Sequence, residues 1–286
     1  MPNVLSLLLE PLSYGFLLRG LVAATLIGVI CAVIGTFVVL KGLAFIGDAL
    51  AHIAFTGIVV AFLSGIAFYL GALVAAILAA LGIGVVSRRS GISLDTSIGI
   101  FFSGIFALGI VLMSVGIKTY TVDLFSYLFG NVLGTRPGDL ISIAGLGLLV
   151  LVTVLVLYKE LLFTSFDPVA AEAAGLPSER LQMLLLILLS VTVVVSVQAV
   201  GVVLVVAMLV TPSATAYLLT NRFGRMMAYG AGFGALAAVV GIYLSYYLNV
   251  PSGGAIVLVA TTLFLLTAAL SPKRGGWRRL IGSPAS

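Results

Sequence analysis

The chain has 286 residues, of which 62% are hydrophobic and 8% charged, with a mean hydropathy of +1.32 and a net charge of +5. A soluble domain carries roughly 25% charged residues, so this composition excludes one and describes a polytopic membrane protein. A single cysteine, Cys31, and a single histidine exclude a disulfide framework, a cysteine zinc site and any multi-histidine cage within one chain.

Taken in chain order, residues 1–19 form an N-terminal juxtamembrane segment able to lie flat on a bilayer, without the basic start and small-residue cleavage site of a signal peptide. A helical span needs about 20 apolar residues. Residues 20–40 supply one span, 49–87 a helical hairpin bent near Ser64–Gly71, and 96–117 a further span, with Asp95 as its expected N-cap. Residues 140–158 add one more. The stretches 181–221 and 226–272 read as hairpins bent at Val200-Gly201 and within Asn249–Gly254. The result is an all-α transmembrane helical bundle of eight to nine spans over 20–272, followed by a basic tail at 273–286.

Basic residues collect on the cytoplasmic side of membrane proteins. With nine spans, Lys41, Arg88, Arg89, Lys159, Arg180, Arg222, Arg225 and the tail share one side, and Arg19, Lys118 and Arg136 the other. This distribution predicts a cytoplasmic C-terminus and a cytoplasmic loop over 158–180. The +5 charge is topology rather than nucleic-acid affinity.

Polar residues inside spans mark function by default, since a charge at the bilayer centre costs at least about 2.5–3.5 kcal/mol. Asp48 and His52, spaced i,i+4, share one helix face. They could ligate a divalent transition metal together. Alternatively, Asp48 orients His52 from behind, caps the helix, or forms a structural pair with it. Two ligands leave a coordination shell incomplete, which a two-fold axis, water or other residues of the chain could complete. Gln198, Thr211 and Ser213 are polar positions in long apolar stretches, and each reads as a helix-to-helix hydrogen bond or a pathway group. Met113 and Met208 read as core filler or soft gate residues. Pro212 should kink or break its helix. Gly230 and Gly234 form a small-xxx-small helix-packing pattern.

The loop segment Asp167-Pro168…Gly175-Leu176-Pro177 carries complete helix punctuation: Asp167 as N-cap, Pro168 at the first helical position, Gly175 as the left-handed C-terminal cap. A short Ala-rich helix here suggests a partner-docking surface.

Together, Gly47-Asp48-Ala-Leu-Ala-His52, the 167–177 segment, Gln198–Leu204, Thr211–Ala216 and Leu244–Gly253 resemble the permease subunits of zinc, manganese and iron ABC importers, the ABC-3 family. The resemblance implies a fold like the type II importers, in the bacterial inner membrane. It implies a second permease copy (a homodimer), an ABC ATPase subunit and a metal-binding solute-binding protein as partners. It further implies an ATPase-coupling helix at 167–177 (Asp167, Pro168, Glu172, Ala173, Ala174, Gly175) and a metal site at Asp48 and His52. The cargo would be zinc or manganese, with iron a further candidate, and no cofactor would be bound permanently. Ala51 stands where Ser is common in the family. The chain holds no GxxxxGK[ST] phosphate cradle, so it is expected not to be an enzyme, and ATP hydrolysis falls to another subunit. An alternative from the residues alone is an ion- or proton-coupled secondary transporter using the intramembrane pair Asp48 and His52, as a relay in the proton case. Counted from Lys41, Asp48 lies about two turns inside, shallower than a transit site should be.

Overall fold

The computed structural model describes residues 10–116 and 132–271; Lys118 and the tail from Pro272 lie outside this range. Because hydrocarbon offers the main chain no partners, each long apolar run closes its own hydrogen bonds as a helix. Eleven α-helices follow in order among the described residues. They are α1 (Gly15–Leu40), α2 (Ile46–Ser64), α3 (Phe68–Ser90), α4 (Leu94–Gly116), α5 (Pro137–Val156), α6 (Tyr158–Phe166), α7 (Pro168–Ala173), α8 (Ser178–Val200), α9 (Val202–Leu219), α10 (Phe223–Leu248) and α11 (Ser252–Leu270). Nine of them, all but α6 and α7, are long and apolar enough to cross a membrane. That is the upper of the two span counts the sequence allowed, and the three anticipated hairpin bends fall at Gly65, Gly201 and Asn249.

Three of these expectations need adjustment. First, α1 begins at Gly15, five residues before the expected span, preceded by a 3-10 turn at Pro11–Ser13. Second, α4 is capped by Ser93, whose Oγ accepts from the Thr96 amide at 3.1 Å, and Asp95 lies inside the first turn. Third, Pro212 does not break α9, which runs on through it. Neighbouring contacts hold that helix: Pro212 is buried, and the Ser213 hydroxyl donates to the Ala32 carbonyl of α1 at 2.9 Å.

The most apolar windows of α1, α2 and α8 are 72%, 72% and 78% buried inside the protein, against 11% for α4 and 17% for α11. The first three are therefore the centre and the last two the periphery. In this core α1 contacts α10, α9, α5 and α8, while α2 carries α3 and α4 on its flank. Helices in a bilayer gain little from burying apolar side chains against one another, so close backbone approach does the work instead. Gly28 on α1 faces Gly234 on α10, and a Cβ at Gly28 would lie 2.7 Å from the Gly234 carbonyl oxygen. Gly57 on α2 and Gly71 on α3 repeat the arrangement, as does Gly35 against the Leu209 main chain. The Gly230/Gly234 pattern is thus a helix-packing stripe that meets Ala32 and Gly28 of α1.

The two ends of the bundle are distinct. At one, Arg88 pairs with Glu179 at 2.7 Å, and the Phe223 ring meets Phe37 and Phe166 edge-on and Tyr158 at a tilt. At the other, Tyr246 meets Tyr14 and Glu10, and Gly20 touches Val132 and Leu133. The basic residues Lys41, Arg88, Arg89, Lys159, Arg180, Arg222 and Arg225 all belong to the first end, with α6 and α7.

Gly28→Ala should lower the stability of the detergent-solubilised protein by about 1–3 kcal/mol through overpacking. Gly232→Ala, where no atom lies within 4 Å of the added methyl, should leave thermal unfolding unchanged or slightly raised.

Candidate functional site

Asp48 and His52 lie in the first two turns of α2. The N-cap position is Phe45, without any side-chain capping bond, so Asp48 is not the cap. Its main-chain carbonyl instead receives the His52 ring: Nδ1 lies 2.9 Å from that oxygen and 3.4 Å from the Asp48 carboxylate Oδ1. A carbonyl can only accept, so this bond calls for a proton on Nδ1, and a neutral ring held in it keeps its lone pair on Nε2. The carbonyl one turn back is the nearer partner of Nδ1, and the carboxylate to which the sequence reading allowed an orienting role lies beside the same nitrogen. Both side chains are partly exposed, 39% for Asp48 and 24% for His52. One oxygen donor and one nitrogen donor on one helix face are what a borderline divalent cation binds. Among the described residues no group of three or more His, Cys, Asp or Glu side chains gathers. Asp48 and His52 therefore stand as a pair and not as part of a larger cluster of such side chains.

The surroundings place the pair along the bundle. The His52 ring stands nearly perpendicular to Phe102 and Phe106 of α4, with centroids 5.3 and 5.0 Å away. These two flank the midpoint of α4, and at 1.5 Å per residue they stand roughly 12–18 Å from its start. Gly47 abuts the Leu209 side chain at the middle of α9. The start of α2 thus lies beside the central turns of α4 and α9, with His52 one turn further along the helix than Asp48. Below it, burial and the nearby Arg88 guanidinium pull the Lys41 amine below the usual lysine range.

Phe102 and Phe106 were not singled out by the sequence, where nothing sets them apart from the other fourteen of 16 phenylalanines. The hydrogen bond that registers α4 on α2 was equally hidden: the Thr56 hydroxyl donates to the Ile105 carbonyl at 2.9 Å, against Gly109, where any Cβ would strike that hydroxyl. The weaker pathway candidates are distributed differently. Ser213 is bound to α1, the Thr211 carbonyl accepts from Thr215, and Gln198 sits in the last turn of α8, its Nε2 buried with no hydrogen-bond partner among the described residues. None of Gln198, Thr211, Pro212 or Ser213 shares a hydrogen bond or ion pair with Asp48 or His52 among the described residues.

At the basic end, α7 has the punctuation read from the sequence. Asp167 Oδ1 accepts from the Ala170 amide at 2.9 Å and Pro168 opens the helix. Gly175 turns left-handed at φ +83°, with its amide bound to the Glu172 carbonyl and the Leu176 amide to that of Ala171. Only Ala171 is fully buried; Val169, Glu172, Ala173, Ala174 and Gly175 face outward, Val169 at 77% exposure. The outward face of this capped helix is made of small and apolar residues with the single charge of Glu172.

Comparison with known proteins gives the following. Residues 13–271 match the model of the ABC 3 transport family. The chain is 48% identical over 264 residues, 92% of its length and 90% of the relative's, to the manganese transport system membrane protein MntC of Halalkalibacterium halodurans. It is 40% identical over 272 residues, 95% of its length and 96% of the relative's, to a probable iron transport system membrane protein of Haemophilus influenzae. Its fold matches a chain of the solved PsaBC structure from Streptococcus pneumoniae, in complex with Fab, with a TM-score of 0.84 and 37% identity over 98% of this chain and 100% of that one.

Replacing Asp167 with Ala should remove the α7 cap at a local cost of about 1 kcal/mol. Hydrogen exchange at the Ala170 and Ala171 amides should then quicken about fivefold, without change in the amides of α8.

Proposed function

This chain belongs to the ABC 3 transport family, and from that premise we propose that it is the membrane permease of an ATP-driven importer whose cargo is manganese, with iron(II) second and zinc third. The observation that carries the reading is the Asp48–His52 half-site, with a carboxylate and a bare Nε2 on one face of α2 at the middle of the bundle. Carboxylate oxygen suits manganese, and imidazole suits iron and zinc. A relative 48% identical is named for manganese and one 40% identical for iron, which supports the same order.

Half a shell argues for a second copy of the chain. In a two-fold dimer with α2 near the axis, two carboxylates and two imidazoles surround one ion. The ion arrives from a solute-binding protein at the end bearing Tyr14 and Tyr246, and leaves at the basic end. The positive-inside tendency makes that basic end cytoplasmic and the C-terminus with it. Energy comes from an ATPase subunit seated on the outward face of α7, through Glu172, Ala173, Ala174 and Gly175. Closure of the ATPase pair shifts α7, and with it α8, to which it is joined through the Pro177 turn. Access to the half-sites then alternates between the two ends. Gln198, Thr211, Pro212 and Ser213 act at a distance on this path, holding the central helices that must move.

Proteoliposomes containing the permease and its ATPase subunit test this with radioactive Mn2+. Asp48→Asn and His52→Ala should each lower uptake by more than about 10-fold, since even supporting groups of a metal site carry 10–100-fold effects. Uptake should require ATP and should not follow an imposed pH gradient; gradient-driven uptake without ATP would establish the proton-relay alternative instead. Separately, Ala173→Arg on the outward face of α7 should abolish ATPase co-purification and uptake while leaving Mn2+ binding by the permease intact.

A further inference from the structure

We propose that Phe102 and Phe106 are positioning residues of the metal site, holding the His52 imidazole in the orientation and tautomer that present Nε2 to the ion. The inference rests on reading Asp48 and His52 as the cargo's ligands. An imidazole on a helix has two side-chain torsions, and the Nδ1–carbonyl bond to Asp48 restrains the ring by one edge only. The remaining freedom is rotation about that edge. Phe102 and Phe106 stand against the ring at interplanar angles of 72° and 84°, one helical turn apart and stacked on each other at 6.0 Å. Two perpendicular neighbours from another helix block the rotation that would break the Nδ1 bond and with it the preference for the Nδ1-protonated tautomer.

The wall is itself held in register. Ile105, next to Phe106, receives the Thr56 hydroxyl one turn beyond His52, and Gly109 lets α4 close onto that bond. Phe55 adds a tilted contact to Phe106 at 6.1 Å. Nor is α4 needed to fill the centre of the bundle, because it packs mainly on α2 and α3 and its apolar window is 11% buried. Phe102 and Phe106 are only partly buried against the core, and both also reach the His52 ring. The same wall closes one flank of His52 to water, so an ion reaching Nε2 must give up part of its hydration there.

The single histidine makes the idea measurable, because selective 15N-histidine labelling yields one imidazole and no overlap. In the metal-free permease the wild-type ring should show a protonated Nδ1 and a bare Nε2. Phe102→Ala/Phe106→Ala should give an averaged mixture of tautomers, and in proteoliposomes with the ATPase subunit should raise KM for Mn2+ about 10-fold with kcat within about twofold. Phe106→Leu, which keeps most of the apolar volume, should move both readouts in the same direction by a smaller factor and carries the test if the double variant does not fold. Phe106→Tyr, which keeps the ring, should leave both at their wild-type values. Unchanged tautomer and KM in the Phe variants overturn the proposal, as does a fall in kcat alone, which marks a structural role. His52→Ala with undiminished uptake would instead overturn the ligand reading itself.

Discussion

Hydrocarbon supplies neither hydrogen bonds to the main chain nor a hydrophobic drive between helices, and this double constraint shapes the whole protein. Its first part forces every span into a helix that satisfies itself. Its second part leaves close contact between backbones as the source of helix association, so the bundle is held where glycines meet: Gly28 with Gly234, Gly57 with Gly71, Gly35 with the Leu209 main chain. Polar side chains are then available for local anchoring. Ser213 binds the Ala32 carbonyl and Thr56 the Ile105 carbonyl, each fixing the register of one helix on another.

The same constraint explains why the site is so sparse. A carboxylate and an imidazole inside a span are costly, and the chain holds the cost down with one pair on one helix turn. The imidazole is satisfied on one side, where Nδ1 meets the main-chain carbonyl of Asp48 and lies 3.4 Å from its carboxylate, and Nε2 has no such partner on that helix turn.

Between the site and the basic end lies a compact mechanical connection. The capped helix α7 leads through Pro177 into α8, whose first turn is tied to α3 by Arg88, bonded to Glu179 and to Gln182. α3 leads through Gly91 into α4, and α4 carries the aromatic wall beside His52. A continuous chain of contacts thus joins α7 to the polar pair, and its last link, α4, belongs to the periphery of the bundle.

Much of this was legible in the residues. Span count, bends, the end carrying the basic residues, the capped loop helix and the Asp48–His52 pair all follow from apolar run length, glycine and asparagine placement and i,i+4 spacing, which are local properties. Asp95 and Pro212 show the limit of local rules. Ser93 took the cap because its hydroxyl reaches the Thr96 amide first, and α9 continued through Pro212 because α1 supports it from the side. What only the tertiary structure decided is which partners face one another: that Nδ1 finds a carbonyl, that Phe102 and Phe106, among sixteen phenylalanines, reach the histidine, and that the pair lies level with the centre of α4 and α9. Those are contacts between helices distant in sequence. In a chain whose helices are apolar on nearly every face, no periodic pattern shows which face turns inward; only close-packed geometry does.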